Sequence, residues 1–289
     1  MFVPRKILEE KLRSLLAEDV GQGDITTALT VPPETNVEAE IIAKESGIAA
    51  GIEEAKILLE SLGVKVKRAV SDGEKIKQQV LMEIFGDAQT ILSVERTVLN
   101  LISRMSGIAT ATRNIVEKLE GEGLKIRVAC TRKTALGLLY FDKKAVLVGG
   151  GDTHRLHLDD MVLIKDNHIK IVGNVEKAVK KAKEKVSLSK KIEVEVTSVE
   201  DALAAAKSGA DIVMLDNFSP KQIVEVVKLL KKAGLFGKVL LEASGGITTG
   251  NIMEYALTGV DIVSLGEITD SPKTLDISLK IRAVRSSVL

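Results

Sequence analysis

The feature that most restricts the fold is a rhythm that begins near Lys125. Short apolar runs rich in β-branched residues recur at 126–130, 161–164, 192–196, 211–215, 239–241 and 261–265. Helical segments at 175–185, 199–208 and 220–233 separate several of them. Strands that stay apolar without alternating are buried on both faces, and strands that alternate with helices form a parallel sheet covered by those helices. The rhythm therefore predicts an α/β fold, an incomplete parallel α/β-barrel of TIM type with about six strands. An open dinucleotide-binding sheet is disfavoured, because no Gly-x-Gly-x-x-Gly opens the first βα unit.

The first hundred residues follow a different pattern. A helical stripe of Ile7, Leu8, Leu12, Leu15 and Leu16 runs into Gly21, Gly23 and Asp24, which end it. After Pro32-Pro33, Val37, Ala39, Ile41 and Ala43 alternate as on a strand with one buried face. A helix is expected over 52–62, then strands near 64–70 and 80–85 around the Asp72-Gly73 turn. A long helix over 87–105 carries Ile91, Val94, Val98, Leu101, Ile102 and Met105 on one side and Arg96, Asn100 and Ser103 on the other. Ser106-Gly107 is expected to interrupt it before a second helix reaches Leu119. The expected division is an N-terminal α+β domain over 1–106, joined by the C-terminal tail of about 272–289, and a catalytic barrel over 107–271.

Composition removes several function classes. A net charge of +1 gives no general attraction for nucleic acid, and 2% aromatic residues with no Trp give no platform for stacking bases. No apolar run of membrane-spanning length exists, and the charged N-terminal stretch is unlike a signal peptide. Cys130 is the only cysteine, which excludes an internal disulfide. A cytoplasmic enzyme bound to neither membrane nor nucleic acid is the expectation.

Chemistry gathers where each apolar run ends, which in a parallel barrel is the functional face. In order, these ends carry Thr131-Arg132-Lys133, Lys165-Asp166-Asn167-His168, Glu195, Asp216-Asn217, Ser244-Gly245-Gly246 and Gly266-Glu267. Glycines before the helix expected at 251–257 allow backbone N–H groups to approach an anion, as does Gly266 after Leu265. Arg132 and Lys133, with His154 and Arg155 behind the Gly149-Gly150-Gly151 loop, suit a substrate bearing several negative charges. Glu195 and Asp216 could hold a divalent metal, hold ribose hydroxyls, or stabilise a developing sugar cation.

Other signals point elsewhere with less force. Lys165 could form a Schiff base, as in a phosphosugar aldolase or isomerase, but its cationic neighbours favour an electrostatic role. His154, His157 and His168 lack zinc-helix spacing. The Asp72–Ile76 hairpin lacks the Lys of a biotin or lipoyl carrier, and the lysines of 177–191 read as a solvated surface.

At these residues the chain resembles the quinolinate phosphoribosyltransferases, or decarboxylating nicotinate-nucleotide pyrophosphorylases. Matching segments, in the family's order, run from Gly23-Asp24-Ile25-Thr26 and Glu95-Arg96-Thr97 through Ser106-Gly107-Ile108-Ala109-Thr110 to Thr131-Arg132-Lys133-Thr134. Gly149-Gly150-Gly151 with His154-Arg155, Ile164-Lys165-Asp166-Asn167-His168, Glu193-Val194-Glu195, Leu215-Asp216-Asn217 and Glu242-Ala243-Ser244-Gly245-Gly246 complete the set. The resemblance implies conversion of quinolinate and phosphoribosyl pyrophosphate to nicotinate mononucleotide, pyrophosphate and CO2 in NAD biosynthesis, with Mg²⁺ and a homodimer whose sites are shared. It further implies that Thr131, Arg132, His154, Arg155 and Lys165 bind quinolinate, Lys133 helps hold the diphosphate, and Arg96 reaches into the partner's site. Lys165, Glu195 and Asp216 would be catalytic, Glu195 and Asp216 would serve the ribose and Mg²⁺, and Ser244, Gly245, Gly246, Leu265 and Gly266 would take the 5′-phosphate. The chain departs from the family pattern at Cys130, Ala135-Leu136, Leu139 and His157. A molybdenum-transport-associated group, or a non-catalytic anion-binding relative, is the competing reading; the intact Lys-Asp-Asn-His favours the quinolinate enzyme.

Overall fold

The structure is a computed structural model that describes residues 3–285. It comprises two compact units, one drawing its described residues from Met1–Arg113, Leu147–Gly149 and Pro272–Leu289, the other from Asn114–Val146 and Gly150–Ser271.

In the first unit the strands are β1 (Asn36–Ala43), β2 (Gly47–Ile48), β3 (Lys65–Ala69), β4 (Lys75–Ile76) and β5 (Gln79–Asp87). β1, β5 and β3 lie side by side, antiparallel. Every second residue of β1 is buried, so Val37, Ala39, Ile41 and Ala43 face the core as their alternation requires. The apolar stripe of the long helix is buried likewise, from Ile91 through Met105.

That helix corrects one expectation. Ser106-Gly107 does not interrupt it; it runs unbroken over Ala88–Gly121. Ser106 instead turns its hydroxyl inward, accepting the Ala50 N–H at 3.0 Å and facing the Ala50 carbonyl at 3.2 Å. A Cβ on Gly107 would lie 2.0 Å from the Lys273 carbonyl oxygen. The pair marks close packing of backbone on helix, a use of small residues that propensity alone reads as a break.

The second unit holds β6 (Arg127–Cys130), β7 (Val162–Ile164), β8 (Ile192–Val196), β9 (Ile212–Asp216), β10 (Leu240–Ser244) and β11 (Ile262–Leu265). All pair in parallel, in the order β6-β11-β10-β9-β8-β7. Residues following both edge strands, Thr131 and Lys165, line one and the same cavity. The sheet is therefore rolled into a barrel of six strands whose seam lies between β6 and β7. At that seam Asp152 adds itself to β6, its N–H donating to the Val128 carbonyl at 2.7 Å and its carbonyl accepting from Cys130 at 3.2 Å.

The covering helices begin where capping chemistry allows. Ser219 opens Pro220–Lys232 with its hydroxyl on the Gln222 N–H and the Gln222 side chain returning to the Ser219 N–H, while Pro220 sits at the first helical position. Ile223, Val226, Val227 and Leu230 form its buried stripe. The chain then returns to the first unit, where β12 (Ile277–Arg285) pairs antiparallel with β1. Among the described residues no helix is long and apolar enough to cross a membrane.

Candidate active site

The C-terminal strand ends surround a cavity of roughly 560 Å³, a size typical of small-molecule sites. Side chains alternate across a strand, so Glu193 and Glu195 of β8 share the inward face, as do Glu242 and Ser244 of β10. Thr131, Arg132 and Lys133 line the cavity beyond β6, and Lys165 beyond β7. Glu195, Asp216 and Ser244 reach it from β8, β9 and β10, and Gly245, Gly246 and Gly266 from the turns after β10 and β11. His154 and Arg155 enter through the seam.

Like charges crowd there. Burial, then the neighbouring Arg132 cation, draws the Arg155 guanidinium below its ordinary pKa, against the pull of Glu193, Asp160 and Glu195. Two neighbouring guanidiniums repel, and an anion bound between them relieves that repulsion. Lys165 forms an ion pair with Glu195. That contact argues for the electrostatic role over a Schiff base. Asp216 accepts from its neighbour Asn217 at 2.9 Å and meets no cationic side chain among the described residues.

The same cavity is lined by a turn built for backbone contact. Asn217, Gly245 and Gly246 all have positive φ, at 58°, 88° and 64°. A Cβ on Gly245 would stand 2.5 Å from Asn217 Oδ1 and 2.8 Å from the Asn217 backbone nitrogen, which itself donates to the Ser244 carbonyl at 2.8 Å. Glycine is required there by space as well as by φ. The helix that follows is only Ile252–Ala256, too short for a useful dipole, so any anion affinity rests on the turn's own N–H groups.

Three sequence-selected residues stand differently from the rest. Leu265 has its side chain wholly in the core, and its neighbours Ser264 and Gly266 face the cavity instead. Arg96 does not line the barrel cavity; it is exposed in the first unit, beside Glu45, Asn100 and Ser103 around a separate hollow. His154 lines the cavity, yet neither ring nitrogen is free for a ligand. Its Nε2 is 3.2 Å from an oxygen of Glu193 and of Glu242, and its Nδ1 accepts the Arg155 N–H at 2.8 Å.

The segment carrying His154 is anchored, contrary to a flexible loop. Besides the Asp152 bridge, Lys143 is buried with its ammonium on the carbonyls of Cys130 and Thr153, and the Cys130 thiol also faces the Thr153 carbonyl. Burial lowers the Lys143 pKa and raises that of Cys130. His154 has φ 51°, a left-handed conformation that few side chains adopt.

Residue-by-residue reading of strand ends missed Glu193 and Glu242, both fully buried. A signal was present: each is a carboxylate in the middle of a mostly apolar strand, two residues before a residue already selected and so on the same face. Burial alone would lower the proton affinity of His154, but hydrogen bonds and charge from the two carboxylates outweigh it and push its pKa up to about 10. The Glu193 carboxyl is pushed up as well, by burial first and then by the Glu242 charge. The additional proton belongs to the coupled triad rather than to one group, while the Arg155 N–H pointing at Nδ1 marks that nitrogen as an acceptor.

Fold and cavity define a barrel enzyme that gathers a polyanionic substrate beside two carboxylates at its strand ends. Comparison with known proteins makes the class specific. Residues 24–106 match the N-terminal domain, and residues 108–280 the C-terminal domain, of quinolinate phosphoribosyl transferase. A probable nicotinate-nucleotide pyrophosphorylase (carboxylating) of Methanothermobacter thermautotrophicus is 46% identical over 275 residues, 95% of this chain and 99% of that one. The rat nicotinate-nucleotide pyrophosphorylase (carboxylating) is 37% identical over 283 residues, 98% of this chain and 93% of that one. The solved nicotinate-nucleotide pyrophosphorylase of Francisella tularensis superposes with a TM-score of 0.87 at 38% identity, covering 97% of this chain and 98% of that one. The chain belongs to the quinolinate phosphoribosyl transferase family, pentosyltransferases of NAD biosynthesis.

Proposed function

We propose that this chain joins the phosphoribosyl group of phosphoribosyl pyrophosphate to the ring nitrogen of quinolinate, releasing pyrophosphate and CO2 and leaving nicotinate mononucleotide. The observation that carries this reading is the cavity itself, in which Arg132, Lys133, Arg155 and Lys165 face the Gly245-Gly246 turn across Glu195 and Asp216. Quinolinate brings two carboxylates and its co-substrate a phosphate and a diphosphate, which matches a site of crowded cations.

In this reading Arg132, Arg155 and Lys165 hold the two carboxylates, with Thr131 at their edge. Lys133 supports the diphosphate, and the turns at Ser244–Gly246 and Gly266 receive the 5′-phosphate on backbone N–H groups. The ring nitrogen bonds to the sugar carbon as the bond from that carbon to the pyrophosphate oxygen breaks. Glu195 and Asp216 stabilise the positive charge that develops on the sugar. The pyridinium nitrogen then draws electrons: the bond to the 2-carboxylate breaks, its electron pair stays on the ring carbon, and a proton from water replaces the lost CO2.

The donor set fits Mg²⁺. Asp216 is a carboxylate without a cationic partner among the described residues, Glu195 lies nearby in the cavity wall, and a hard cation takes few protein oxygens beside phosphate and water. Bound there, Mg²⁺ would neutralise charge on the departing pyrophosphate. A homodimer is part of the proposal, with Arg96 of each copy completing the site of the other; its exposed position on the long helix supports this. A reduced, buried Cys130 supports a cytoplasmic setting.

The test is to mix purified protein with quinolinate, phosphoribosyl pyrophosphate and Mg²⁺. Release of pyrophosphate and CO2 is expected; with nicotinate as acceptor, CO2 release is absent. No turnover of quinolinate would refute the assignment.

A further inference from the structure

The roles above leave one set of buried charges unused. Glu193 and Glu242 are fully enclosed, and among the described residues Glu193 Oε1 and Oε2 and Glu242 Oε1 accept no hydrogen bond. His154 Nε2 is 3.2 Å from an oxygen of each, but only the contact to Glu242 is aligned as a hydrogen bond. Two carboxylates kept so deep, with one aligned hydrogen bond between them, are costly to the fold, and that cost points to a use.

We propose that Glu242, with Glu193 beside it, is a positioning residue that holds His154 as the Nε2–H tautomer and thereby fixes the backbone at Arg155, aiming that guanidinium at a substrate carboxylate. The chain of contacts is short. Glu242 accepts a hydrogen bond from Nε2–H, which leaves Nδ1 its lone pair, and Nδ1 receives the Arg155 N–H at 2.8 Å. The left-handed φ of His154 and the bond from its own N–H to Asp152 Oδ1, at 2.8 Å, hold the segment in this conformation. A second proton on Nδ1 would set donor against donor and release Arg155. Glu193 stands against the same ring from β8, 3.2 Å from Nε2, and closes that side of the His154–Glu242 pair. Arg155 also feels Arg132, Asp160 and Glu195, none of which touches the imidazole. The inference rests on the quinolinate reading for its substrate, although the ring geometry does not.

Nitrogen-15 NMR of histidine-labelled protein tests it directly, since the chain has three histidines. The His154 signals are expected to show unprotonated Nδ1 and protonated Nε2 from pH 6 to 9, with no transition near 6.5. In Glu242→Gln the Nδ1/Nε2 preference relaxes, and KM for quinolinate rises about tenfold, the loss of one well-aimed interaction, while KM for phosphoribosyl pyrophosphate stays within about twofold. Glu242→Asp restores part of the loss, and Glu193→Gln, whose contact to Nε2 is not aligned as a hydrogen bond, perturbs KM less than Glu242→Gln. The proposal is overturned by a wild-type His154 that titrates near 6.5, or by Glu242→Gln with unaltered quinolinate KM. It is equally overturned by a stoichiometric metal ion lost in Glu193→Gln, because the three groups could also ligate a cation, lying within 4.8 Å of one another. Absence of quinolinate turnover in wild type with the tautomer as stated would sink the substrate assignment and leave the positioning intact.

Discussion

Replacing Gly245 with alanine separates the anion turn from everything else in the cavity. Two costs apply. The left-handed φ of 88° penalises any side chain by about 1–2 kcal/mol. In addition the new Cβ meets Asn217 Oδ1 at 2.5 Å and its backbone nitrogen at 2.8 Å, so the neighbour must retreat by about 0.9 Å to reach ordinary contact near 3.4 Å. That retreat is opposed by the Asn217 N–H bond to Ser244, 2.8 Å long. The sum is about 2–4 kcal/mol, borne by the turn proposed to receive the 5′-phosphate. Gly246 provides an internal control, because its φ of 64° carries the backbone cost while a Cβ there meets nothing within 4 Å. Steady-state kinetics with each substrate varied in turn should show KM for phosphoribosyl pyrophosphate up roughly 100-fold in Gly245→Ala and about tenfold in Gly246→Ala, with quinolinate KM little changed. Equal effects from the two alanines, or a rise confined to quinolinate, would refute both the steric argument and the location of the phosphate.

Three further outcomes follow from the same geometry. Gly107→Ala would stabilise an exposed helix by about 1 kcal/mol; here a Cβ 2.0 Å from the Lys273 carbonyl reverses the sign, and thermal unfolding should show a lower midpoint. Lys165→Ala should reduce turnover by about 100-fold or more. Its midpoint should move little, since its ammonium is 44% exposed and an exposed pair with Glu195 contributes at most about 1 kcal/mol. The His154–Glu193–Glu242 triad holds one proton more than the unfolded chain between the ordinary histidine pKa of 6.5 and about 10. Its stabilisation is complete below 6.5 and is lost as pH rises through 10, so the midpoint should decline across that window. Glu193→Gln, which removes one of the carboxylates that raise the proton affinity, should flatten the decline, and an unchanged slope would refute its part in it.

Much of this protein is legible in one dimension because local patterns act locally. The alternation of β1, the buried stripe from Ile91 to Met105 and the capping box at Ser219 are all decided by side chains within a few residues of one another. The strand-end chemistry is legible for a related reason: in a parallel barrel all functional ends emerge on one face, so order along the chain maps onto one cavity. Only tertiary structure could decide what depends on distant partners. Gly107 reads as a break until the Lys273 carbonyl is seen pressed against it. His154 reads as a cavity residue from the sequence, but only the fold shows that β8 and β10 bring Glu193 and Glu242 to its ring. Those carboxylates lie 88 and 39 residues from the groups they serve or flank, 154 to 242 and 154 to 193, and no periodicity spans such a gap. The sequence by itself therefore determined the barrel, its functional face and the family. The fold decided which of the selected side chains line the cavity and which lie apart from it, because burial and hydrogen-bond partnership are properties of the assembled core.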